Sequence, residues 1–560
     1  MWFGMKTQTR IAIRMHCAKL VTRLLICVFL TELSFADQRP ALEVEYVEVK
    51  NDSIQIGLPT FEGELCVVAA GCFEESSRNS PSLWQGKFTT ASIRLDRISP
   101  TGRDRLYDRF VLVDSSGDPL GHGRYADRFD GLNASSHSIP WPKCIKGLQD
   151  ISNWKDATDL GVAHVTLNMV ITQLIRSQKE TADSFGEFCY TVDGITYAFD
   201  EGRVRQYDEN IKSATELGIN TVAIVLCTAR GRSAQDNPMV HPLTDTDGTP
   251  TGVVAANTTT AEAERRYRAI MGFLGRRYSR EDKLYGLIGG YIVGNEVQSH
   301  WFWHNLGEQP PNVVIRQYAD QVRLTYCALR EHHRDPKVFI SLDHHWSSFH
   351  EKNAMKAMFG RELLDGLAND IRERGDLPWN VAWHPYPENL FKPAFWNDRT
   401  AWYAFDTPRI TFKNIEVLPD YLNRDALLYK GKRRSLILSE QGFHTGIGDD
   451  GERLQAAAFA ASFVQISGIE GIDAYILHRY VDHRGEGGLN LGLRRVGDHG
   501  LPAEKKLIYD VFKAAGTDQQ TDVFRFALPI VGIDDWSKML PKPGPFPASR
   551  LPGRNASADK

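Results

Sequence analysis

The sequence has little of what marks several large classes of protein. Basic residues do not exceed acidic ones: 66 Lys and Arg stand against 70 Asp and Glu, and the net charge is −4. A chain without a basic excess lacks the surface with which nucleic-acid-binding proteins neutralise phosphates. Compositionally biased tracts are also missing, and the hydrophobic share of 42% is that of a globular protein. We therefore expect a folded protein with no nucleic-acid partner.

Cysteine pairs and metal-binding motifs are scarce as well. The eight cysteines form no CxxC pair and no zinc-like cluster, and no HExxH motif occurs. Cys66 and Cys72 could pair as a short disulfide loop in an oxidising compartment, or both could stay free. Cys227 and Cys327 lie in apolar runs, which favours buried free thiols. The sequence thus predicts neither a metal site nor a cofactor.

The apolar run at residues 24–30 is too short for a membrane span, which needs roughly 20 residues. Basic residues between Arg10 and Arg23 precede this run, and small residues occupy the −3 and −1 positions of a cleavage site after Ala36. The pattern predicts a signal peptide over residues 1–36. We expect a secreted or periplasmic protein with no stable membrane insertion after signal removal; an uncleaved anchor is the alternative.

Two regions with different periodicity follow. Residues 41–135 show short alternating runs between Gly, Pro, Ser and Asp clusters, which predicts a small N-terminal β-domain that is sandwich-like in its layers. Over residues 141–515, apolar runs alternate with helical patterns, which predicts an α/β fold, a (β/α)8 TIM barrel, with an inserted hairpin at 181–204. Residues 516–560 are predicted to form a partly irregular C-terminal extension. The eight predicted barrel strands are 144–149, 163–170, 220–227, 289–295, 337–342, 381–384, 435–439 and 472–478.

Carboxylates follow two of these predicted strands. Glu296 comes after Asn295 at the end of the fourth strand, and Glu440 follows the seventh. The catalytic residues of such barrels lie at the carboxyl ends of the strands, so the two side chains would face each other across the opening of the barrel. Retaining glycoside hydrolysis needs such a pair, one protonated and one ionised. Each Glu could instead cap a helix or pair with an Arg at the rim.

The motifs "IVGNEV", "HPYP", "LILSEQGF" and "HRYVDH" occur in this order. Together they resemble the clan-A glycoside hydrolases and, more closely, a bacterial domain-of-unknown-function family related to that clan. The resemblance implies that Glu296 is the acid/base and Glu440 the nucleophile. It also implies that Asn295 binds the sugar 2-hydroxyl and that His384 and Tyr386 orient or hold the nucleophile.

One departure from the clan pattern concerns arginine. No Arg stands near the first strands, where many clan members keep one beside the nucleophile, so Arg479 after the eighth strand is a candidate for that positive charge. His478 beside it and Asn168 at the end of the second strand are further candidate substrate contacts. Among the aromatics, Trp346 is the best candidate for a subsite wall and Trp301 for a cleft lining, because flat rings suit the apolar faces of sugars.

The histidines offer a competing chemistry. His344, His345, His384 and His478 stand near Asp343 and Asp482, as in metal-dependent barrel hydrolases. The Gly-rich segment 485–493 is interpreted as a flexible rim loop. The favoured hypothesis is an exported retaining glycoside hydrolase that cleaves a poly- or oligosaccharide. A non-catalytic carbohydrate-binding barrel is the first alternative, and a metal-dependent hydrolase is the second.

Overall fold

The computed structural model describes residues 42–540, apart from 62–63, 75–80, 88–90, 180–185, 230–236 and 249–250. The predicted signal peptide and the chain after residue 540 lie outside the described residues. Within the described ranges, no helix combines the length and the apolar character that a membrane crossing needs.

The N-terminal region is built from strands, as its alternating pattern predicts. One sheet has the order β5-β2-β1-β7 and the other the order β4-β3-β6. The apolar side chains of β1, such as Val47 and Val49, are buried while their neighbours are partly exposed, which is the period-2 pattern of a half-buried strand. The seven strands are β1 Tyr46–Lys50, β2 Ser53–Gly57, β3 Glu64–Ala70, β4 Ser82–Lys87, β5 Ser92–Asp96, β6 Arg109–Val113 and β7 Arg128–Gly131.

Eight parallel strands then close into a barrel, in the order β8, β9, β13, β15, β16, β17, β18 and β19. The eighth of these pairs with the first, and the second with the third, so the sheet has no open edge within this set. The TIM barrel predicted from the sequence is therefore confirmed. The strands after β7 are β8 Lys146–Leu148, β9 His164–Val170, β10 Ile175–Lys179, β11 Cys189–Val192, β12 Ile195–Phe199, β13 Asn220–Thr228, β14 Val253–Val254, β15 Ile288–Val293, β16 Val338–Asp343, β17 Trp379–His384, β18 Leu436–Leu438, β19 Ala474–Leu477, β20 Arg494–Val496 and β21 Pro502–Lys505.

Helices connect and cover the barrel strands, and the antiparallel strands β11 and β12 form the hairpin expected near residues 181–204. After residue 516, two short helices occupy the region that the sequence predicted as a partly irregular C-terminal extension. The helices are α1 Trp154–Asp159, α2 Glu201–Glu216, α3 Ala261–Tyr278, α4 His300–Trp303, α5 Pro311–Arg330, α6 Gly360–Glu373, α7 Val417–Leu422, α8 Gly448–Ser467, α9 Leu507–Ala514, α10 Gln520–Phe524 and α11 Ala527–Val531.

Barrel strands are buried on both faces, which explains their unbroken apolar runs. Side chains that point outward pack against the helices in the main core. A separate cluster of side chains from six barrel strands fills the barrel interior: Val222, Ile224, Ile292, Phe339, Ala382, Ile437, Ala474 and Ile476. The interior is therefore a packed core, and ligands of such barrels bind at the ends of the strands rather than between them.

The cysteines of the described region are all free thiols. Cys227 and Cys327 are buried, as their apolar surroundings predict. Cys66 and Cys72 do not pair with each other, so the proposed short disulfide loop is absent.

A buried group of charges joins the N-terminal strands to the barrel. The carboxylate of Glu264 lies 3.0 Å from Arg268 Nε and 3.3 Å from an amino nitrogen of Arg103, and the Glu264 side chain is fully buried. Arg103 also contacts Asp108 at 2.6 Å, and Arg268 pairs with Asp193 in the hairpin. Glu264 is thus the partner that the guanidinium groups of Arg103 and Arg268, from two parts of the chain, have in common.

We expect Glu264→Gln to lower the free energy of unfolding by about 3 kcal/mol, because it leaves buried guanidinium groups without their shared partner. The measurement is thermal or denaturant unfolding. Glu201→Gln is the matched control: Glu201 and Arg205 form a pair with the same helical spacing, but both side chains are more than half exposed. A control that loses as much stability as Glu264→Gln would contradict the assignment.

Candidate active site

A cavity of about 570 Å³ lies at the carboxyl ends of the barrel strands. Glu296 and Glu440, from the fourth and seventh strands, both line it, as do Asn168 and Asn295. The structure therefore brings together these four residues, each of which was predicted from its position at the end of a barrel strand. What the cavity can do depends on how the two carboxylates are held.

Glu296 has an unusual backbone conformation. Its φ of 40° and ψ of 52° lie in the left-handed region, which is sparsely populated by residues other than glycine. The amide of Glu296 donates a hydrogen bond of 3.0 Å to Ser341 Oγ on the neighbouring strand β16. Surrounding structure must over-determine such a conformation, and strained positions of this kind occur disproportionately at functional sites.

The two carboxylates share a small space with a histidine. One ligand-type atom from each of Glu296, His384 and Glu440 lies within 4.8 Å of the other two. His384 Nδ1 is 2.7 Å from Glu296 Oε1, and the Tyr386 hydroxyl donates to Glu440 Oε1 at 3.1 Å. Tyr386 therefore holds the carboxylate that the resemblance assigns to it. His384 differs from that expectation, because its hydrogen bond goes to Glu296.

Burial and nearby charge set the protonation of this group. Burial is the main reason that the pKa of Glu296 rises to about 7; the His384 hydrogen bond opposes the rise, and the charges of Asp343 and Glu440 add to it. Burial alone would lower the pKa of His384, but the carboxylates of Glu440 and Glu296 raise it above its ordinary value. Protonation of Glu296 and of His384 is therefore favoured, because it balances part of the local negative charge.

Asp343, at the end of β16, also lines the cavity and contributes a negative charge to it. Burial would raise the pKa of Asp343, but His345 and His344 nearby hold it well below its usual range. Asp343 Oδ1 accepts from His345 Nδ1 at 2.9 Å, and its Oδ2 accepts from Ser299 Oγ at 3.2 Å. This ionised carboxylate is the charge that helps to keep Glu296 protonated.

A second polar group spans the first and eighth strands. His478 Nδ1 lies 2.7 Å from Gln149 Oε1, and its Nε2 lies 3.1 Å from Glu486. Arg479 pairs with Asp150 at 2.6 Å and also with Glu486. Burial would raise the pKa of Glu486, but His478 and Arg479 lower it to about 2. The guanidinium of Arg479 thus pairs with Asp150 and Glu486. The sequence suggested Arg479 as a positive charge beside the nucleophile Glu440, but its ion pairs are with these two other carboxylates.

Two of the predicted aromatic contacts are corrected. Trp346 is fully buried: it packs against Trp383 and Tyr421, and its indole nitrogen donates to a backbone carbonyl, so it does not line the cavity. Trp301 is half-buried under the ammonium of Lys356, 4.0 Å from the ring centroid, and it also lies outside the lining. The tryptophan that does line the cavity is Trp303.

Several lining residues were missed in the sequence: Gln149, Asp150, Glu486 and His350. Gln149 and Asp150 directly follow the first strand, β8, so the residues after that strand would have pointed to them. Glu486 lies on the Gly-rich loop, where no periodicity marks a functional side chain. His350 and the neighbours His344 and His345 bring three imidazoles to the cavity, and burial lowers the pKa of His344 and His350.

The group of Glu296, His384 and Glu440 also has the composition of a cation site. The short approach of His384 Nδ1 to Glu296 fits a shared proton equally well. Among the described residues, this is the group of carboxylate and imidazole ligands close enough to hold a metal ion.

Solved structures with similar folds include glycoside hydrolases. A family 39 glycoside hydrolase from the gut symbiont Bacteroides cellulosilyticus WH2 is 13% identical, with a TM-score of 0.43, over 86% of this chain and 83% of that chain. A hyperthermophilic β-glucosidase from Pyrococcus furiosus is 13% identical, with a TM-score of 0.41, over 67% and 86%. A family 1 β-glucosidase from Thermotoga maritima is 13% identical, with a TM-score of 0.39, over 65% and 85%.

No curated protein matches the sequence. A family model does match it, over residues 138–539, which include all eight barrel strands and both carboxylates. The motif resemblance predicted a domain-of-unknown-function family, and this prediction is confirmed. The chain belongs to the family described as a family of unknown function, DUF5722.

Proposed function

We propose that this protein is an exported retaining glycoside hydrolase that cleaves a poly- or oligosaccharide. The observation that carries the proposal is the approach of Glu296 and Glu440 to within 4.8 Å, between atoms of their carboxylates, inside a cavity at the strand ends. Retaining enzymes keep their two carboxyl groups about 5–5.5 Å apart, whereas inverting enzymes need about 6.5–9.5 Å to admit a water. The approach of one oxygen from each carboxylate to within 4.8 Å is compatible with the retaining spacing and supports double displacement.

In the first step, Glu440 attacks the anomeric carbon and forms a glycosyl-enzyme ester. Glu296 donates its proton to the glycosidic oxygen as that bond breaks, so the leaving group departs as an alcohol. A pKa of about 7 keeps much of Glu296 protonated near neutral pH, as a general acid requires. The Tyr386 hydroxyl steadies Glu440 for its attack.

In the second step, a water attacks the anomeric carbon of the ester, and Glu296, now ionised, takes the proton of that water. Glu440 leaves as a carboxylate, and the product keeps the anomeric configuration of the substrate. Asn295 is assigned to the sugar 2-hydroxyl, beside the acid. His384 keeps Glu296 in place through its hydrogen bond, and the proton taken from the water restores Glu296 for the next turnover.

A metal-dependent hydrolase is the second candidate, since Glu296, His384 and Glu440 can offer three ligands to one ion. Such an ion would activate a water, and both carboxylates would then be ionised ligands. The double-displacement proposal instead requires a protonated Glu296. The two candidates therefore differ in the charge that the same carboxylate carries.

Removal of the two carboxylates tests the roles separately. We expect Glu440→Ala to abolish turnover of aryl glycosides. We expect Glu296→Ala to lower turnover of unactivated glycosides by about 10²- to 10⁴-fold, while nitrophenyl glycosides, whose leaving groups need little protonation, lose much less. The exposed Glu373→Ala is the control for folding and should behave as wild type. Full activity of both site variants on a confirmed substrate would rule out the proposed mechanism.

The titration of Glu296 can be followed without any substrate. Carboxyl ¹³C NMR should show a pKa of about 7 for Glu296 in the wild type. Glu440→Gln should lower this pKa, because it removes a negative charge that penalises ionisation of Glu296. Glu388→Gln, on the loop after the sixth strand, is the control and should leave the Glu296 titration in place. An unchanged value in Glu440→Gln would contradict the coupling of the two carboxylates.

Metal dependence is tested by dialysis against a chelator. We expect turnover of an aryl glycoside to survive this treatment unchanged, because the proposed steps use only carboxylates and water. The readout is the rate before and after dialysis, together with elemental analysis of the purified protein. Loss of activity that returns with one specific metal ion would favour the second candidate.

A further inference from the structure

The histidines that line the cavity differ in how far the protein occupies their ring nitrogens. His478 has both nitrogens within 3.1 Å of oxygen atoms of neighbouring side chains. His345 has its Nδ1 2.9 Å from Asp343 and its Nε2 3.5 Å from an amino nitrogen of Arg409. The rings of His478 and His345 therefore serve contacts within the protein.

His344 lacks such contacts. It lines the cavity and is only 4% exposed, and its Nδ1 is buried without a hydrogen-bond partner. Among the described residues its Nε2 forms no hydrogen bond either. Proteins pair nearly all of their buried polar side chains, so a buried imidazole at a cavity without a protein partner is a candidate to bind what enters that cavity. Because Nδ1 is enclosed, Nε2 is the ring nitrogen that a bound molecule can reach.

The imidazole of His344 is held in position by the protein. His344 directly follows β16, and its carbonyl accepts a hydrogen bond of 3.0 Å from the amide of Ile410. Its ring lies against that of His345, with the ring centroids 4.3 Å apart. A side chain that is ordered before binding loses little conformational entropy when it contacts a ligand, which favours affinity.

The protonation state of His344 narrows the chemistry of that ligand. Burial lowers its pKa well below the ordinary value, and the charge of His345 acts in the same direction, while the charge of Asp343 opposes both. The ring is therefore neutral near neutral pH, with one N–H group and one lone pair. A hydroxyl group matches either nitrogen, since it can both donate and accept.

Aromatic rings extend from His344 towards the loop after the fourth strand. His345 packs against His350, with centroids 5.5 Å apart, and His350 packs against Phe302 at 4.5 Å. Trp303, which comes next in the chain, lines the cavity together with His350. An indole ring beside a few polar groups suits a carbohydrate, which presents both apolar faces and hydroxyl groups.

Building on the proposed function, we infer that His344 is a substrate-binding residue, whose Nε2 forms a hydrogen bond with one hydroxyl group of the carbohydrate. Glu296 and Glu440 carry the bond-breaking steps, and His344 contributes to affinity and to the choice of sugar. A substrate without that hydroxyl group would leave the ring unpaired, so it would bind less tightly.

The direct test combines His344→Leu with monodeoxy derivatives of a disaccharide that the enzyme hydrolyses, in which each hydroxyl of both sugar units is removed in turn. We expect one derivative to lose about five- to tenfold in kcat/KM with the wild-type enzyme, and no more with His344→Leu than the variant alone loses. If the variant and every derivative act independently, the inference is overturned while the proposed function stands. If the wild type hydrolyses no glycoside, both fall.

Two further variants identify the nitrogen that makes the contact. A glutamine amide extends about as far as Nε2 of histidine, whereas an asparagine amide extends only as far as Nδ1. We expect His344→Gln to keep KM within about threefold of wild type, and His344→Asn to raise KM about as much as His344→Leu, with smaller changes in kcat. Equal KM values for His344→Leu and wild type would overturn the inference.

The matched control is His332→Leu. His332 Nε2 lies 2.8 Å from the Tyr190 hydroxyl, and neither residue lines the cavity. We expect this variant to lower the thermal unfolding temperature and to leave KM and the response to the deoxy derivatives unchanged. Thermal unfolding of the His344 variants, measured alongside, separates a loss of affinity from a loss of folded protein.

Discussion

Ionising both of two carboxylates costs free energy when their oxygens lie within 4.8 Å of each other in a cavity, because like charges repel. Much of the site can be understood from this constraint. One of them has to keep a proton or gain a cationic partner. Burial and the charges of Asp343 and Glu440 favour the protonated form of Glu296, which shares a hydrogen bond with His384, whereas Tyr386 donates a hydrogen bond to Glu440. The difference between the two partners makes the pair unequal. Glu296 is the member that holds the proton, and Glu440 is the member left as an acceptor.

The barrel holds this unequal pair in place. Glu296 adopts a left-handed backbone, which costs of order 1–3 kcal/mol and persists only where neighbouring structure compels it. The fifth strand supplies that support through Ser341, which accepts from the Glu296 amide, and through Asp343, whose charge discourages ionisation of Glu296. Tyr318 contributes from a helix, because its hydroxyl donates to the carbonyl of Val293, at the end of the fourth strand. Conformation and protonation of one carboxylate thus depend on the same neighbouring strand.

The sequence predicted the barrel well because its strands are buried on both faces and therefore stand out as apolar runs. It also placed Glu296 and Glu440 at the mouth, since a strand end can be located from the run that precedes it. Trp346 shows where this reasoning stops. It follows soon after the end of β16, yet its ring is buried outside the cavity and packs against Trp383, because ring orientation is decided by packing between distant segments. The pairing of Arg479 with Asp150 joins residues at opposite ends of the barrel sequence, so no local pattern could indicate it.

The position of His384 changes the account that motif resemblance alone would give. If His384 bonded the nucleophile alone, burial and nearby carboxylates would raise the pKa of Glu296 with no hydrogen bond from His384 to oppose the rise. Because His384 instead contacts Glu296, the acid is adjusted by two opposing effects: burial and nearby carboxylates raise its pKa, and the histidine restrains that rise. A general acid works best when its pKa lies near the working pH, since it must give up its proton in one step and recover it in the next. The balance around Glu296 suits both steps, whereas burial without the histidine would suit only the first.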